Sequence, residues 1–294
     1  MEKRVRFNGR MLPYLLLFPQ IAATLIFFIW PAIQAVWLST LQEDMFGTSS
    51  TFAGLFQYKA MFQDAHYWRT VGRTMIYSLY VAGFGMALSL MIAVAADRVL
   101  RARGIYRSLL VWPYAVAPAI AGALWEFMFS PSVGIVSQML GDVFGYEFNA
   151  ALNRQDAFTL IVVAAVWNHM SYNFLFFLAG LQQIPKSLIE AAAIDGAGPL
   201  RRLFTIVMPL LSPTAFFLLV VNVIYAFFGT FGIIDATTQG GPAYATETMV
   251  YKVYRDGLHS HDIGGSSAQS VVLMLLVATL TIIQFRYIER RVHY

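Results

Sequence analysis

A chain of 294 residues is long enough for one large or two small soluble domains, but 58% of it is hydrophobic and only 12% charged, against about 25% charged in ordinary soluble proteins. That composition excludes a water-soluble globule. Cysteine is missing altogether, which removes disulfide frameworks, thiolate metal sites and cysteine nucleophiles, and a net charge of +4 points to nucleic acid only where basic residues gather on one solvated surface.

Six charge-free intervals divide the chain: Arg10 to Glu43, Arg73 to Asp97, Arg107 to Glu126, Asp156 to Lys186, Arg202 to Asp235 and Asp262 to Arg286. Each holds an apolar run near the ~20 residues a helix needs to cross a bilayer. They predict an all-α integral membrane protein with six transmembrane helices at 14–38, 74–96, 108–129, 158–181, 207–228 and 267–285. Helix is preferred to barrel strand because the runs are continuously apolar and do not alternate. The first run is longer than a signal-peptide core of roughly 7–15 residues and lacks a small-residue cleavage site, so it is expected to stay as an anchor, kinked at Pro19 and Pro31. In the third, Ala115, Ala119, Gly122 and Ala123 beside Pro113 and Pro118 make a thin helix open to close backbone contact.

Orientation follows from Lys and Arg, which cytoplasmic loops retain. Lys3, Arg4, Arg6, Arg10, Arg98, Arg101, Arg103, Arg107, Lys186, Arg201, Arg202, Arg286, Arg290 and Arg291 fall on one side, fourteen in all, while six (Lys59, Arg69, Arg73, Arg154, Lys252, Arg255) fall on the other with eleven of the sixteen acidic residues. Both termini are therefore expected in the cytoplasm, and the basic bias reads as topology and not as a nucleic-acid surface. The expected layout is a cytoplasmic segment 1–13, a transmembrane domain 14–285 and a cytoplasmic tail 286–294.

Between the fourth and fifth spans, residues 182–206 form the most informative loop. Ser187 and Glu190 have capping-box spacing, which predicts a short helix over 188–195. Gly196 can take the left-handed conformation that ends it, and Pro199 suits the start of a second helix. Leu188, Ile189 and the Ala191–Ala193 run offer a small, aliphatic surface that suits lipid or a closely approaching protein. Glu190-Ala191-Ala192, Gly196, Ile206 and Pro209 resemble the EAA loop of ABC importer permeases, with Met208 in place of the usual Leu. The resemblance implies a coupling helix that fits a cytoplasmic ATPase through Ser187, Glu190, Ala191, Ala192, Asp195 and Gly196.

The likeness covers nearly the whole chain. Trp112-Pro113-Tyr114-Ala115-Val116-Ala117-Pro118-Ala119, Ser171 to Phe177, Ile184 to Glu190 and Gly240-Gly241-Pro242 are similar to the carbohydrate-uptake permeases related to the maltose system. Leu12 to Leu16, Tyr225 to Phe228 and Ala268 to Met274 are similar more narrowly to the A-type permease subunits of sn-glycerol-3-phosphate importers. This implies a type I ABC importer permease in the bacterial inner membrane. Its implied partners are a second homologous permease that completes a heterodimer, a cytoplasmic ABC ATPase dimer and an extracytoplasmic solute-binding protein docking near Gly240, Gly241 and Pro242. No cofactor is implied.

Catalytic patterns are weak. Gly180 to Ser187 approaches a phosphate-binding loop, but Pro185 replaces the second glycine, lacks an amide hydrogen and follows a membrane helix where a strand is required. His259 and His261 stand in a loop without a third metal ligand, and no His-Glu-x-x-His or Gly-x-Ser-x-Gly occurs. Glu126 sits at a helix end, which suits an interface better than the proton relay of an ion-driven carrier, the other transport class the composition allows. Asn168, His169, Ser171, Tyr172 and Asn173 in the fourth span, with Asn222 and Tyr225 in the fifth, are polar at bilayer depth. Such groups either bind neighbouring helices or face a solute, and the spacing allows both. Apart from Arg73, the predicted spans hold no cation for an anionic solute, which leaves its handling to neutral donors.

Overall fold

The computed structural model describes residues 11–43, 49–97 and 103–288. Lys3, Arg4, Arg6, Arg10, Arg98, Arg101, Arg290 and Arg291, all used in the orientation argument, lie outside the described residues. The chain divides into two compact units, one containing the residues up to Asp64 with Val253–Met274, the other Ala65–Lys252 with the residues from Leu275 onward.

In the first unit, α1 (Leu12–Thr24) and α2 (Trp30–Leu38) join through a wide π-type turn at Leu25–Ile29. The turn stands immediately before Pro31, whose ring would otherwise strike the carbonyl four residues back; widening relieves that contact. None of the most apolar stretch of Tyr14–Leu38 is buried within the chain, as expected of a helix that faces lipid or another subunit. A short antiparallel hairpin follows, β1 (Leu41–Glu43) on β2 (Ser50–Phe52) with Leu41 opposite Phe52, a departure from the purely helical expectation. It is pinned to α3 (Phe56–Gln63) by the Ser39 and Tyr58 hydroxyls at 2.7 Å and by Gln57 Nε2 donating to the Leu41 carbonyl at 3.2 Å.

The second unit is organised on two long helices, α4 (Ala65–Asp97) and α8 (Arg154–Gln183). Both run further than their apolar cores, because Ala65–Arg73 and Arg154–Ala157 continue the helix through polar residues. Between them come α5 (Arg103–Ala115), α6 (Pro118–Met128) and α7 (Ile135–Phe144). After α8 follow α9 (Lys186–Ile194), α10 (Pro199–Arg202), α11 (Met208–Leu210), α12 (Ser212–Ile224) and α13 (Phe231–Ala236); α14 (Met249–Tyr254) and α15 (Ile263–Ile283) are divided between the two units, at Lys252 and at Met274. Two-thirds of the most apolar window of α8 is buried, against 28% for α4, which makes α8 the axis of this unit. Ala93, Phe174, Phe177, Leu178, Leu211 and Leu218 form one core cluster and Phe129, Phe148 and Leu160 another.

Two predicted spans need correction. The third is not one helix: α5 and α6 turn through 106° at residues 116 and 117. Pro118 has no N–H and pushes the residue before it out of the helical region; Ala117 accordingly sits at φ −58°, ψ 141°. The fifth crosses as Ser212–Gly229 and not from 207: α10 runs through a wide π-type turn at Leu203–Val207 into the short α11, and the chain turns at Leu211, between Pro209 and Pro213, before α12 begins. Five helices and this one bent pair are long and apolar enough to cross a membrane among the described residues.

The small residues of α6 meet α13 at close range. A Cβ on Gly122 would lie 3.0 Å from the Ile233 carbonyl oxygen and 3.1 Å from its Cα, and one on Gly232 would lie 3.2 Å from the Ala119 nitrogen. Without a hydrophobic force between helices in lipid, such contact is what holds them. Gly122→Val should therefore cost about 1–3 kcal/mol and lower the Tm of the purified chain. Gly141→Ala on α7, where a Cβ meets nothing within 4 Å, should leave Tm unchanged or raise it, and equal losses for the two variants would contradict the packing.

Candidate functional site

The break between α5 and α6 frees backbone carbonyls at bilayer depth, where no water can satisfy them. Asn168 of α8 does so: its Nδ2 donates to the Val116 carbonyl at 2.9 Å and, at 3.1 Å, to the Pro113 carbonyl, which also accepts from the Val116 N–H at 3.2 Å. The Tyr225 hydroxyl donates in turn to Asn168 Oδ1 at 3.2 Å. Trp167, one residue earlier on α8, meets Trp112 of α5 and Trp125 of α6 edge-on. One turn of α8 thus grips both arms of the bent span.

A cavity of about 720 Å³ opens at this break, lined by Tyr114, residues 115–118, Asn168, His169, Tyr172, Tyr225 and Phe228. The His169 ring is sandwiched between Tyr225, with centroids 3.9 Å apart and planes 9° off parallel, and Tyr172 at 5.2 Å. His169 Nε2 is buried with no hydrogen-bond partner. Of the polar residues singled out in the sequence, Asn168, His169, Tyr172 and Tyr225 line this cavity, and Ser171 is buried outside it. Asn173 and Asn222 do not line it. They are fully buried and face each other across α8 and α12, with Asn173 Nδ2 donating to Asn222 Oδ1 at 3.0 Å and Asn222 Nδ2 returning a bond to Asn173 Oδ1 at 2.7 Å. Asn222 Nδ2 also donates to the Leu218 carbonyl at 2.7 Å.

The loop over 182–206 forms the elbow expected of it, with one correction. The α9 helix begins at Lys186 with Pro185 as its N-cap, and no side chain caps it. Ser187 is already inside the first turn, so the capping box with Glu190 is not made; Pro185, fixed near φ −59° and ψ 124°, sets the helix start one residue ahead of it. The other end is as the sequence implies. Gly196 adopts φ +80°, its N–H donates to the Ala193 carbonyl at 3.1 Å, and the Ala197 N–H donates to the Ala192 carbonyl at 2.9 Å. This is the double closure of a Schellman cap, which requires a left-handed residue. No residue of α9 is buried; Leu188 and Ile194 stand open at its surface, and Ser187, Glu190, Ala191, Asp195 and Gly196 are exposed, with Ala192 partly so.

The Gly240-Gly241-Pro242 turn is a buttress. Gly240 is buried under Tyr251, the Gly241–Pro242 peptide is cis, and Thr246 Oγ1 donates to the Gly241 carbonyl at 2.7 Å. The residues it presents are the neighbours Gln239, Ala243 and Tyr244, all exposed and all at positive φ. At the start of α8, Asp156 accepts from the Tyr146 hydroxyl at 2.6 Å and the Asn149 N–H at 2.8 Å. That bond raises the Tyr146 pKa above the ordinary phenol value, because ionisation would leave two anions in contact. Among the described residues no group of three His, Asp or Glu side chains is placed to hold a metal ion. Sequence reasoning missed Arg69 and Arg154, which share a groove with Arg73; their presence in helix was masked by the polar residues flanking each apolar run.

Residues 133–294 match the family of binding-protein-dependent transport system inner membrane components. The chain belongs to that family. This inner-membrane component is 56% identical to the sn-glycerol-3-phosphate transport system permease protein UgpA of Rhizobium meliloti, over 99% of each chain. It is 54% identical to the protein of the same name from Yersinia enterocolitica, over 100% of this chain and 99% of that one. Its fold is that of type I ABC importer permeases: a subunit in the crystal structure of a bacterial alginate ABC transporter, solved with a periplasmic protein bound to an alginate pentasaccharide, superposes with a TM-score of 0.83 over 95% of this chain and 94% of that one at 20% identity.

The amide pair of this family member predicts a stability cycle. Asn173→Leu or Asn222→Leu alone leaves the other amide buried without its partner and should cost about 1–3 kcal/mol. The double Leu variant should lose less than the sum, with a coupling of about 0.6–1.7 kcal/mol, the range for polar contacts in membrane helices. Denaturation midpoints of the four proteins measure it, and strict additivity would show that the pair is not formed.

Proposed function

We propose that the chain is one of two permease subunits of an ATP-driven importer for sn-glycerol 3-phosphate. The observation that carries this reading is its full-length likeness, at 54–56% identity, to permeases named for that solute. The chain itself is non-catalytic; a separate ABC ATPase dimer hydrolyses ATP in the cytoplasm, a second homologous permease completes the pore, and an extracytoplasmic solute-binding protein delivers the solute. Both termini lie in the cytoplasm, and residues 14–285 act as one transmembrane domain with the coupling loop 182–206 on its cytoplasmic face.

In this reading α9 sits in a cleft of the ATPase through its exposed Leu188, Ile194 and alanine face, with Ser187, Glu190, Ala191, Ala192, Asp195 and Gly196 at the contact. Only Ile184 and Pro185 separate α9 from α8, so ATPase closure pulls directly on α8. Because α8 holds the α5–α6 break through Asn168 and α12 through Asn173, those elements move with it. The cavity at the break, lined by Asn168, Tyr172 and Tyr225, then opens and closes as part of the solute pathway, while Asn173 and Asn222 brace its wall. Neutral donors suit a passage from which the solute must leave. The turn at Gly240, Gly241 and Pro242 supports the surface on which the binding protein docks.

Two measurements test this. Proteoliposomes that hold the complete importer should accumulate labelled sn-glycerol 3-phosphate on ATP addition, with unlabelled glycerol 3-phosphate competing and maltose not; accumulation of maltose in its place would overturn the solute. Gly196→Val places a β-branched side chain at φ +80° and should cut solute-stimulated ATP hydrolysis roughly tenfold or more, as expected from about 1–2 kcal/mol of left-handed strain at the coupling helix. Normal hydrolysis and uptake by that variant, with ATPase bound, would remove α9 from the coupling role.

A further inference from the structure

A second and larger cavity, of about 1280 Å³, runs along α4 and α8. Its α4 wall is one helical stripe at three- and four-residue spacing, Arg69, Arg73, Ile76, Tyr80, Phe84 and Leu88, and the last four are each about half exposed. Val162 and Val166 of α8 line it too, and Arg154, at the first turn of α8, joins Arg69 and Arg73 at its rim. The groove is therefore apolar along its length and basic at one end.

Arg73 feels both of its basic neighbours: Glu247 attracts it, and Arg69 and Arg154 each repel it. Glu247 is fully buried, and it is its Oε2 that is engaged, by His66 Nε2 at 2.6 Å and Thr70 Oγ1 at 2.9 Å; none of the three guanidinium groups is bonded to it. Asp156, the carboxylate nearest Arg154 in sequence, is held by Tyr146 and Asn149. Arg73 Nη1 is buried with no hydrogen-bond partner. Among the described residues no carboxylate contacts this cluster of cations, and an anion at the rim would offset their repulsion.

Two further features identify the anion's chemistry. The rim flanks the apolar runs of α4 and α8, which is the level of the membrane interface. Arg73 to Phe84 spans eleven residues, about 16 Å of helix, close to the ~15 Å depth of one leaflet. A free polyol phosphate would leave its hydroxyls against an apolar trough, whereas a lipid fills both parts.

We propose that this groove binds one anionic glycerophospholipid, its phosphate held by Arg69, Arg73 and Arg154 and an acyl chain laid along Ile76, Tyr80, Phe84 and Leu88. Arginine suits the role because its planar fork pairs with phosphate oxygens through two N–H groups. The site is independent of which solute the importer carries.

The test uses the assembled importer in phosphatidylcholine nanodiscs with a trace of phosphatidylglycerol carrying a photoreactive acyl chain. Cross-links should map to residues 76–88 and 162–170, and excess phosphatidylglycerol should suppress them, with excess phosphatidylcholine or glycerol 3-phosphate having little effect. The Arg73→Gln, Arg154→Gln double variant should weaken labelling by about tenfold or more, in line with the loss of two basic contacts to an anionic headgroup, while the double Lys variant, which keeps the charge and loses the planar fork, should fall between that variant and the parent. Equal competition by phosphatidylcholine would reduce the groove to ordinary lipid contact, and competition by glycerol 3-phosphate would make it a solute subsite. An unlabelled groove in the assembled importer would assign it to a partner subunit, and undiminished labelling of the double Gln variant would exclude the arginines. Each of these four results overturns the proposal. The headgroup competition needs no variant, so it decides the matter even if the substituted chains fail to assemble.

Discussion

The arrangement of the membrane domain depends on one side-chain amide. A proline break in a bilayer-spanning helix is tolerated only where the protein itself satisfies the freed carbonyls; Asn168 Nδ2 donates to the Val116 carbonyl at 2.9 Å and, at 3.1 Å, to the Pro113 carbonyl, which the Val116 N–H also reaches. The 106° turn it stabilises directs α6 toward α13, where Gly122 allows contact with Ile233, and a largely apolar cavity with a few polar side chains opens at the break.

From that point the physical connections run through α8. The helix holds the break with Asn168, binds α12 with Asn173, and passes into α9 after two residues. Its length of 30 residues, about 45 Å, joins both membrane surfaces as one rigid element, and the residues that grip its neighbours are buried polar groups whose bonds are costly to break in a low-dielectric interior. In the proposed function, coupling through such an element needs no long chain of side-chain rearrangements, because α9 and the wall of the cavity are joined by one helix.

Much of this was legible in the sequence. Charge-free runs locate membrane spans because a charge at bilayer depth is expensive, and Gly196 with Pro199 reveals the elbow because few residues take the left-handed angle that ends α9. Other features depended on partners distant in sequence. Pro118 announces a break, but whether the chain bends or bridges it is decided by Asn168, fifty residues away. Asn173 and Asn222 carry the same donors whether they bind solute or each other, and only the facing of α8 and α12 separates the two. Ser187 and Glu190 have the spacing of a capping box, yet Pro185 takes the cap position first. The arginine rim escaped because Arg69 and Arg73 lie 81 to 85 positions from Arg154, and because helix continues past the apolar signal at the start of both α4 and α8.

The bent third span can be measured directly, since the chain has no native cysteine. Leu109 on α5 and Phe127 on α6 are both exposed; replaced by cysteine and spin-labelled, they report the distance across the break in the membrane. A straight helix would set these positions about 27 Å apart, eighteen residues at ~1.5 Å each. The structure requires a backbone separation well short of that, lengthening or broadening when Asn168→Leu removes the amide. A distribution centred on the straight-helix distance in the unsubstituted background, or one unchanged by Asn168→Leu, would contradict the account.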